Sequence, residues 1–390
     1  MSAAAVLALS ALAAWLYLLL GRGGFWMARE RDTRESAWAP KSWPGVVAVV
    51  PARNEADVIE RSLGSLLRQD YPGRLRIVLV DDGSDDGTAV AAVRAAQAAD
   101  GAARLEILRG SDLPKGWTGK LWALEQGIRE AGRSAEPPVY LLLTDADIGH
   151  DPDNVRQLVA RAERHGHVLT SLMVELSCRS WAERFLIPAF VFFFQMLYPF
   201  AWVARQAKGT AAAAGGCMLV KRDALEGSGG VAAIRSEIID DCALAARLKK
   251  QGPIWLGLTR RARSLRPYGG LADIGRMVSR SAFAQLHYSP LLLAGTVLGM
   301  AVIYLLPPVV AVEGDGAARW AGLASWLAMA LAFQPMLHFY RRSPLWGLAL
   351  PAIALAYMLF TLRSAFEYWS GRGGMWKGRA QAMKHMTDGA

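Results

Sequence analysis

Val46-Val-Ala-Val-Val-Pro-Ala-Arg-Asn-Glu55 and, further on, Leu75-Arg-Ile-Val-Leu-Val-Asp-Asp-Gly-Ser84 decide the fold. Each is an apolar, largely β-branched run that stops at charged residues, as expected of a strand buried on both faces. Between them Ile59, Leu63, Leu66 and Leu67 fall at i, i+4, i+7 and i+8, one face of a helix. Strand, helix and strand within about 30 residues predict a parallel crossover unit.

The pattern continues outward. A helix around Thr88 to Ala99 leads to a strand at Leu105 to Leu108, a helix from Lys120 to Glu130 leads to a strand at Val139 to Leu143, and Pro152 opens a further helix. The fold class predicted is α/β, a doubly wound, mostly parallel sheet. Ligands of such sheets bind beyond the carboxyl ends of the strands. Three polar clusters occupy those ends: Arg53-Asn54-Glu55, Asp81-Asp82-Gly83-Ser84 and Asp145-Ala146-Asp147.

The flanks are different. The chain has 390 residues, 53% of them hydrophobic and 20% charged, and the charges crowd between roughly residues 28 and 285. Ala3 to Leu20 is an uncharged run long enough to cross a bilayer, followed by Arg22, Arg29, Arg31 and Arg34, which places the N-terminus outside and the next segment in the cytosol. Leu291 to Val312, Trp320 to Phe339 and Leu345 to Leu362 are three further candidate spans. Three crossings put the tail outside, whereas Arg363, Arg372, Lys377, Arg379 and Lys384 favour the inside, and the sequence leaves both open. Phe185 to Val203 is apolar as well, but it is interrupted by Pro188, Gln195 and Pro199 and lies between acidic motifs that one site needs together. It is expected to lie in the membrane plane or to dip as a broken hairpin. The organisation expected is an anchor at 1–22, a catalytic domain at 40–285 with an interfacial segment at 183–204, membrane helices at 290–363 and a basic tail at 364–390.

Cys178, Cys217 and Cys242 are too few and too scattered for a disulfide framework or a zinc site. The 44 Lys and Arg exceed the 34 Asp and Glu by ten. No zinc-finger, RNA-recognition or basic-helix pattern accompanies that surplus, so nucleic acid is not expected as a partner, and the charge is assigned to phosphate at a membrane surface. The chain also lacks Gly-x-x-x-x-Gly-Lys-Ser/Thr and has no Gly-x-Gly-x-x-Gly after its first strand, which disfavours a P-loop ATPase or a dinucleotide oxidoreductase.

Carboxylates gathered at one strand edge repel one another, and a divalent ion removes the conflict. Asp145 and Asp147 form an Asp-x-Asp pair after a buried strand, the donor set with which Mg²⁺ or Mn²⁺ binds while leaving positions for phosphate oxygens. Asp81 and Asp82 offer acceptors to a base N–H or a ribose hydroxyl. Gly119-Lys120 opens a predicted helix, a suitable partner for a diphosphate.

As a set, Pro51-Ala-Arg-Asn-Glu55, Val80-Asp-Asp-Gly-Ser-Asp-Asp-Gly-Thr88, Asp145-Ala-Asp147 and Ile239-Asp-Asp-Cys-Ala-Leu-Ala245 resemble a family 2 glycosyltransferase of the GT-A fold. The resemblance covers roughly residues 44 to 285. Leu113-Pro-Lys-Gly-Trp-Thr-Gly-Lys-Leu-Trp-Ala123, Ser264-Leu-Arg-Pro-Tyr268, Met277-Val-Ser-Arg-Ser-Ala-Phe-Ala-Gln-Leu286 and Trp376-Lys-Gly-Arg379 are similar to hopanoid-biosynthesis-associated glycosyltransferases of the HpnB type, and more distantly to ceramide glucosyltransferase. Gly215-Gly-Cys-Met-Leu-Val-Lys-Arg-Asp223 is similar to an acceptor-side segment of the ceramide enzyme.

The resemblance implies an inverting transferase in the bacterial inner membrane with its catalytic domain in the cytosol. It would move a sugar from a nucleotide-sugar donor, a UDP-sugar, to a lipid hydroxyl, that of a hopanoid. Pro51, Arg53, Glu55, Asp81, Asp82, Lys120 and Asp145 would line the donor, Asp147 with Asp145 would hold the metal, and Asp241 would be the general base, with Asp240 where the family has Glu. Arg280 fits the Arg of the family's Gln/Arg-x-x-Arg-Trp element, but Met277 and Ser281 replace its ends, which argues against a processive synthase. The alternatives left open are a polyprenyl-phosphate acceptor and an inactive membrane scaffold that keeps the fold.

Overall fold

The computed structural model describes residues 2–32, 38–133 and 136–371, with the backbone of 375–376 and 379–380. Arg34 and, in the tail, Arg372, Lys377 and Lys384 lie outside the described residues. The chain divides into two compact units. One contains Glu30–Ser177 and Trp202–Arg266; the other contains Met1–Arg29, Cys178–Ala201 and Pro267–Gly373.

The first unit is built on an eight-stranded sheet of β1 (Val46–Ala52), β2 (Leu75–Asp81), β3 (Leu105–Arg109), β4 (Tyr140–Thr144), β5 (Ile148–His150), β6 (Leu169–Glu175), β7 (Cys217–Lys221) and β8 (Ile254–Ser264). Their spatial order is β3-β2-β1-β4-β7-β6-β8-β5. Among the described residues six strands run one way, and β7 and β5 run against them. Every residue of β1 is buried, as its unbroken apolar run requires. On one face Val46, Ala48 and Val50 share a core with Ile59, Leu63, Leu66 and Leu67 of the helix Ile59–Leu67. Each large aliphatic side chain buried there contributes roughly 1.5–3 kcal/mol. On the other face the helix Gly119–Gly132 lies so close that a Cβ at Gly127 would meet Val49 Cγ1 at 2.4 Å, so only glycine fits.

The end of β4 is fixed by a buried polar chain. His150 is 5% exposed; Asn154 Nδ2 lies 2.9 Å from its Nδ1 and Thr144 Oγ1 3.1 Å from its Nε2. The Asn154 amide donates to Nδ1, so Nε2 carries the proton and donates to Thr144, whose hydroxyl donates to Gly216 O at 2.7 Å. The imidazole thereby joins the carboxyl end of β4 to the start of β7.

The second unit is helical and apolar. Ala3–Leu20, Trp181–Val203, Pro290–Glu313, Gly316–Phe339 and Pro344–Trp369 are long and apolar enough to cross a membrane. Trp15 of the first is fully buried, donates to Ile303 O at 3.0 Å and meets Tyr304 edge to face. In 290–313 a widened turn at Ala301–Leu305 precedes Leu306–Glu313. Pro307 and Pro308 lack the N–H that a regular helix would bond there. The interrupted segment begins at a capping box of Ser180 and Glu183, runs as one helix from Trp181 to Leu197 and breaks at Tyr198-Pro199. The helix Leu271–Gln285, read from the sequence as the end of the catalytic domain, belongs to this unit.

Burial lowers the His150 pKa to about 4 from the ordinary 6.5. The unfolded chain therefore binds a proton between those values that the folded chain rejects. The stability His150 confers is complete above about pH 6.5 and falls away toward pH 4, by at most about 3 kcal/mol. Thermal denaturation from pH 7.5 to 4 is expected to show a smaller acid loss in His150→Asn than in the wild type; parallel curves would contradict this.

Candidate active site

The loops after β1 and β2 are laced together. Asn54, at φ 52°, receives a hydrogen bond on its side-chain oxygen from Asp85 N (3.1 Å), and its own N–H donates to Ser84 Oγ (3.0 Å). Asp86 accepts from the N–H of Ala56 and of Thr88, and Thr88 Oγ1 accepts from Glu55 N at 2.9 Å. These bonds, with the Thr88 hydroxyl, hold the Asp86 carboxyl below the usual carboxylate range although burial opposes them. Pro51 pairs with Val80, so Arg53 and Glu55 leave β1 beside Asp81 and Asp82 leaving β2. Asp82 is 1% exposed; the Arg53 guanidinium donates to its carbonyl and lies 3.8 Å from its carboxylate. Asp81 Oδ1 accepts from Ser84 N at 3.0 Å. Next to them, a Cβ at Gly110 would come within 3.1 Å of the Asp82 backbone.

Arg266, immediately after β8, closes this side. It donates to Glu55 and, at 2.9 Å, to Asp57. Its guanidinium also acts on Asp147, between β4 and β5, without neutralising it. Burial, Asp145 and Glu55 push the Asp147 carboxyl up to about 6. The donors at Asp145 and Asp147 are hard oxygens in a crowded negative field, which suits a divalent ion. Among the described residues no three His, Cys, Asp or Glu side chains gather to hold one. An ion bound there would complete its shell with ligand oxygens and water.

Lys120 joins the two halves of the cluster. It stands in the first turn of Gly119–Gly132, capped by Thr118, and its Nζ lies 3.0 Å from Asp145 Oδ1 and 3.4 Å from Asp240 Oδ2. Burial works against its charge, but Asp145, Asp240 and Asp241 outweigh it and raise its pKa above the ordinary lysine value. Asp240 and Asp241 open the helix Asp240–Leu248. Asp241 accepts from Gly215 N at 2.9 Å and Cys242 N at 2.7 Å. Burial and Asp240 nevertheless keep its carboxyl above the usual range, with Lys120 opposing them. Gly215 lies close against this cluster: a Cβ there would sit 3.2 Å from Lys120 Nζ and 3.5 Å from Asp241 Oδ2.

Of the residues singled out from the sequence, Pro51, Arg53, Glu55, Asp81, Asp82, Lys120, Asp145, Asp147, Asp240 and Asp241 all belong to this unit, and Lys120 brings Asp145, Asp240 and Asp241 together. Arg280 is exposed on Leu271–Gln285 in the apolar unit. Sequence reasoning missed Arg266 and Gly215 as members of the cluster. Arg266 stood within a quoted motif, but its partner Glu55 is 211 positions away. Gly215 opened the segment read as similar to an acceptor-side stretch of the ceramide enzyme, but its tie to Asp241 spans 26 positions and has no local signal.

Removing the Lys120 charge while keeping its stem, as in Lys120→Met, leaves the carboxylates facing one another. A fully buried pair costs about 3–5 kcal/mol to break, and with a fifth of Lys120 exposed we expect about 2–3. Without the cation the Asp241 carboxyl, already held above the usual range by burial and Asp240, is pushed up further, so the deficit is largest at alkaline pH and shrinks on acidification. Thermal midpoints of both proteins from pH 5 to 9 check this; a deficit constant across that range would contradict it.

Comparison with known proteins agrees with this geometry. Residues 47–229 match the family described as Glycosyl transferase family 2. Over 146 residues the chain is 33% identical to an N-acetylglucosaminyltransferase of Rhizobium leguminosarum bv. viciae, covering 37% of this chain and 32% of that protein. It is 45% identical over 53 residues to an N-acetylglucosaminyltransferase of Rhizobium meliloti (strain 1021), covering 13% of this chain and 12% of the other. The chain thus spans about a third of the length of the first relative and less of the second. Among solved structures, a mannosyltransferase from Pyrobaculum calidifontis in complex with GDP-Man and Mn2+ superposes with a TM-score of 0.57, over 92% of this chain and 99% of that one at 21% identity, a likeness of fold. The laced strand-end loops and the Asp-x-Asp pair accordingly lie within the segment, residues 47–229, that matches Glycosyl transferase family 2, and the Asp-Asp helix start lies shortly after it.

Proposed function

We propose that the protein is a membrane-bound inverting glycosyltransferase that moves a sugar from a nucleotide-sugar donor to the hydroxyl of a lipid, a hopanoid. The observation that carries this reading is the Lys120 bridge. One ammonium binds Asp145 on the donor side and Asp240, neighbour of the base candidate, on the other. The two relatives' names make UDP-N-acetylglucosamine the first donor to try.

In this reading Glu55, Asp81 and Asp82 hold the nucleoside, with Arg53 and Arg266 balancing their charge. Asp145 and Asp147 would hold Mg²⁺ or Mn²⁺, which supplies positive charge to the diphosphate. Asp241 accepts the proton of the acceptor hydroxyl. The hydroxyl oxygen forms its bond to the anomeric carbon on the face opposite the departing nucleoside diphosphate, whose bond to that carbon breaks, so the configuration inverts. Its raised pKa makes Asp241 a better base, and the N–H groups of Gly215 and Cys242 fix the aim of the carboxylate. Lys120 offsets charge on the leaving group.

The lipid acceptor rests on the apolar segment. Ser177 and Trp202 both belong to the sheet unit, and β6 and β7, which flank the excursion, pair in one sheet. A segment that leaves and rejoins one sheet cannot cross the membrane once, which supports an excursion that dips into the cytosolic interface and offers an apolar surface to a lipid. The basic stretch after Ala3–Leu20 supports a cytosolic catalytic unit in a bacterial inner membrane.

Two outcomes follow. Asp241→Asn is expected to lower turnover by a factor on the order of 10² to 10⁴ while calorimetric donor binding stays intact; undiminished turnover removes Asp241 from the mechanism. Mass spectrometry of lipids from a deletion strain is expected to show loss of a glycosylated triterpenoid. Loss of a polyprenyl-phosphate sugar instead would reassign the acceptor, and unchanged lipids would count against a lipid acceptor.

A further inference from the structure

A buried charge lies at the opposite end of the helix that starts with Asp240. Lys249, 7% exposed, caps Asp240–Leu248, and its ammonium donates to three backbone carbonyls: Trp202 O (3.2 Å), Val203 O (2.8 Å) and Thr210 O (2.6 Å). Three donors meet three acceptors, so the group is satisfied by neutral dipoles. Burial lowers its pKa. An ammonium held in this way costs desolvation that an apolar side chain would not. What the charge achieves is to draw to one point the last two carbonyls of the short helix Phe200–Val203 and that of Thr210 in the loop that follows.

That loop leads to the base. Between Val203 and β7 the backbone forms neither strand nor helix; three turn bonds, Arg205 N to Trp202 O, Lys208 N to Arg205 O and Cys217 N to Ala214 O, shape its two ends, and side-chain ties set the rest of its course. Four ties come from the helix itself. Asp241 takes Gly215 N, Cys242 Sγ donates to Ala213 O at 3.8 Å, the Lys249 side chain gathers 202, 203 and 210, and Lys249 O accepts from Gln206 Nε2 at 2.7 Å. Ser171 Oγ of β6 adds a fifth by accepting from Ala214 N at 2.9 Å. Helix and loop are therefore one clamp, closed at its near end on the Asp241 carboxylate and at its far end on Lys249.

We propose that Lys249 is a positioning residue for Asp241. By holding residues 202–210 it sets the path of 211–215, and hence the Gly215 N–H that aims the carboxylate. This inference rests on the reading of Asp241 as the general base.

Its test is a double-mutant cycle in the full-length protein, with turnover and donor affinity measured for Lys249→Met, Asp241→Asn and the pair. Displacing a reacting group by about 1 Å costs up to 10²-fold. Lys249→Met is expected to lower kcat about 10- to 100-fold with donor Kd unchanged, to have almost no further effect in the Asp241→Asn background, and Lys249→Arg is expected to recover part of the loss. Equal losses in both backgrounds, or an unchanged kcat, would overturn the proposal. If Lys249→Met does not fold, Gln206→Ala, which removes only the tie to Lys249 O, is expected to give a smaller loss that also vanishes beside Asp241→Asn; a loss that persists there would overturn it. A fully active Asp241→Asn would instead refute the assignment of the base and is read from the single variant alone.

Discussion

Too many carboxylates meet at one end of the sheet. Glu55, Asp82, Asp147 and Asp241 are largely withdrawn from water, with Asp145 and Asp240 beside them, and such a set is stable only if cations are delivered among them. The fold delivers three. Arg53 comes from the end of β1, Lys120 from the start of a helix on one face of the sheet, and Arg266 from the end of β8. Asp147 keeps a raised pKa despite Arg266, which marks the place where positive charge is still short. A divalent ion and an anionic donor, arriving together, would answer that shortage without overloading the site with charge of either sign.

The same constraint explains several local choices. Gly127 lets the Lys120 helix lie against Val49, and Gly215 leaves room where Lys120 and Asp241 approach the loop. The His150 chain holds β4 and β7 together where Asp145 and Gly215 emerge. These are neutral or backbone devices, and they add no further charge to a crowded place.

Much of this was legible in the amino-acid order. The strands β1, β2 and β4 appear as apolar runs because both faces of the sheet are buried there, the half-buried edge strand β3 as a shorter one, and the acidic clusters fall at strand ends where such sheets bind ligands. The second half was harder to read. β8 carries Arg260, Arg261 and Arg263, which look like solvated residues until Asp32, Asp151 and Asp153 are brought to Arg261 and Arg263 by the fold. β7 runs against its neighbours, a reversal that no local pattern announces. The Arg266–Glu55 pair joins residues from opposite ends of the unit, and the Lys249 clamp depends on backbone carbonyls, which carry no sequence signal at all. The five long apolar helices were visible as hydropathy, but only the sheet, by receiving both ends of the interrupted one, gives that segment a different expected path from the others.

The central claim is that donor side and base side converge on one buried cluster to displace a nucleoside diphosphate in a single inverting step. The most direct measurement is the anomeric configuration of the product, read by NMR after the full-length protein in lipid nanodiscs has been supplied with an α-linked UDP-sugar, Mn²⁺ and the lipid acceptor. The account predicts a β-linked glycolipid. An α-linked product would contradict it, because retention requires a second displacement for which Asp241 as sole base makes no provision.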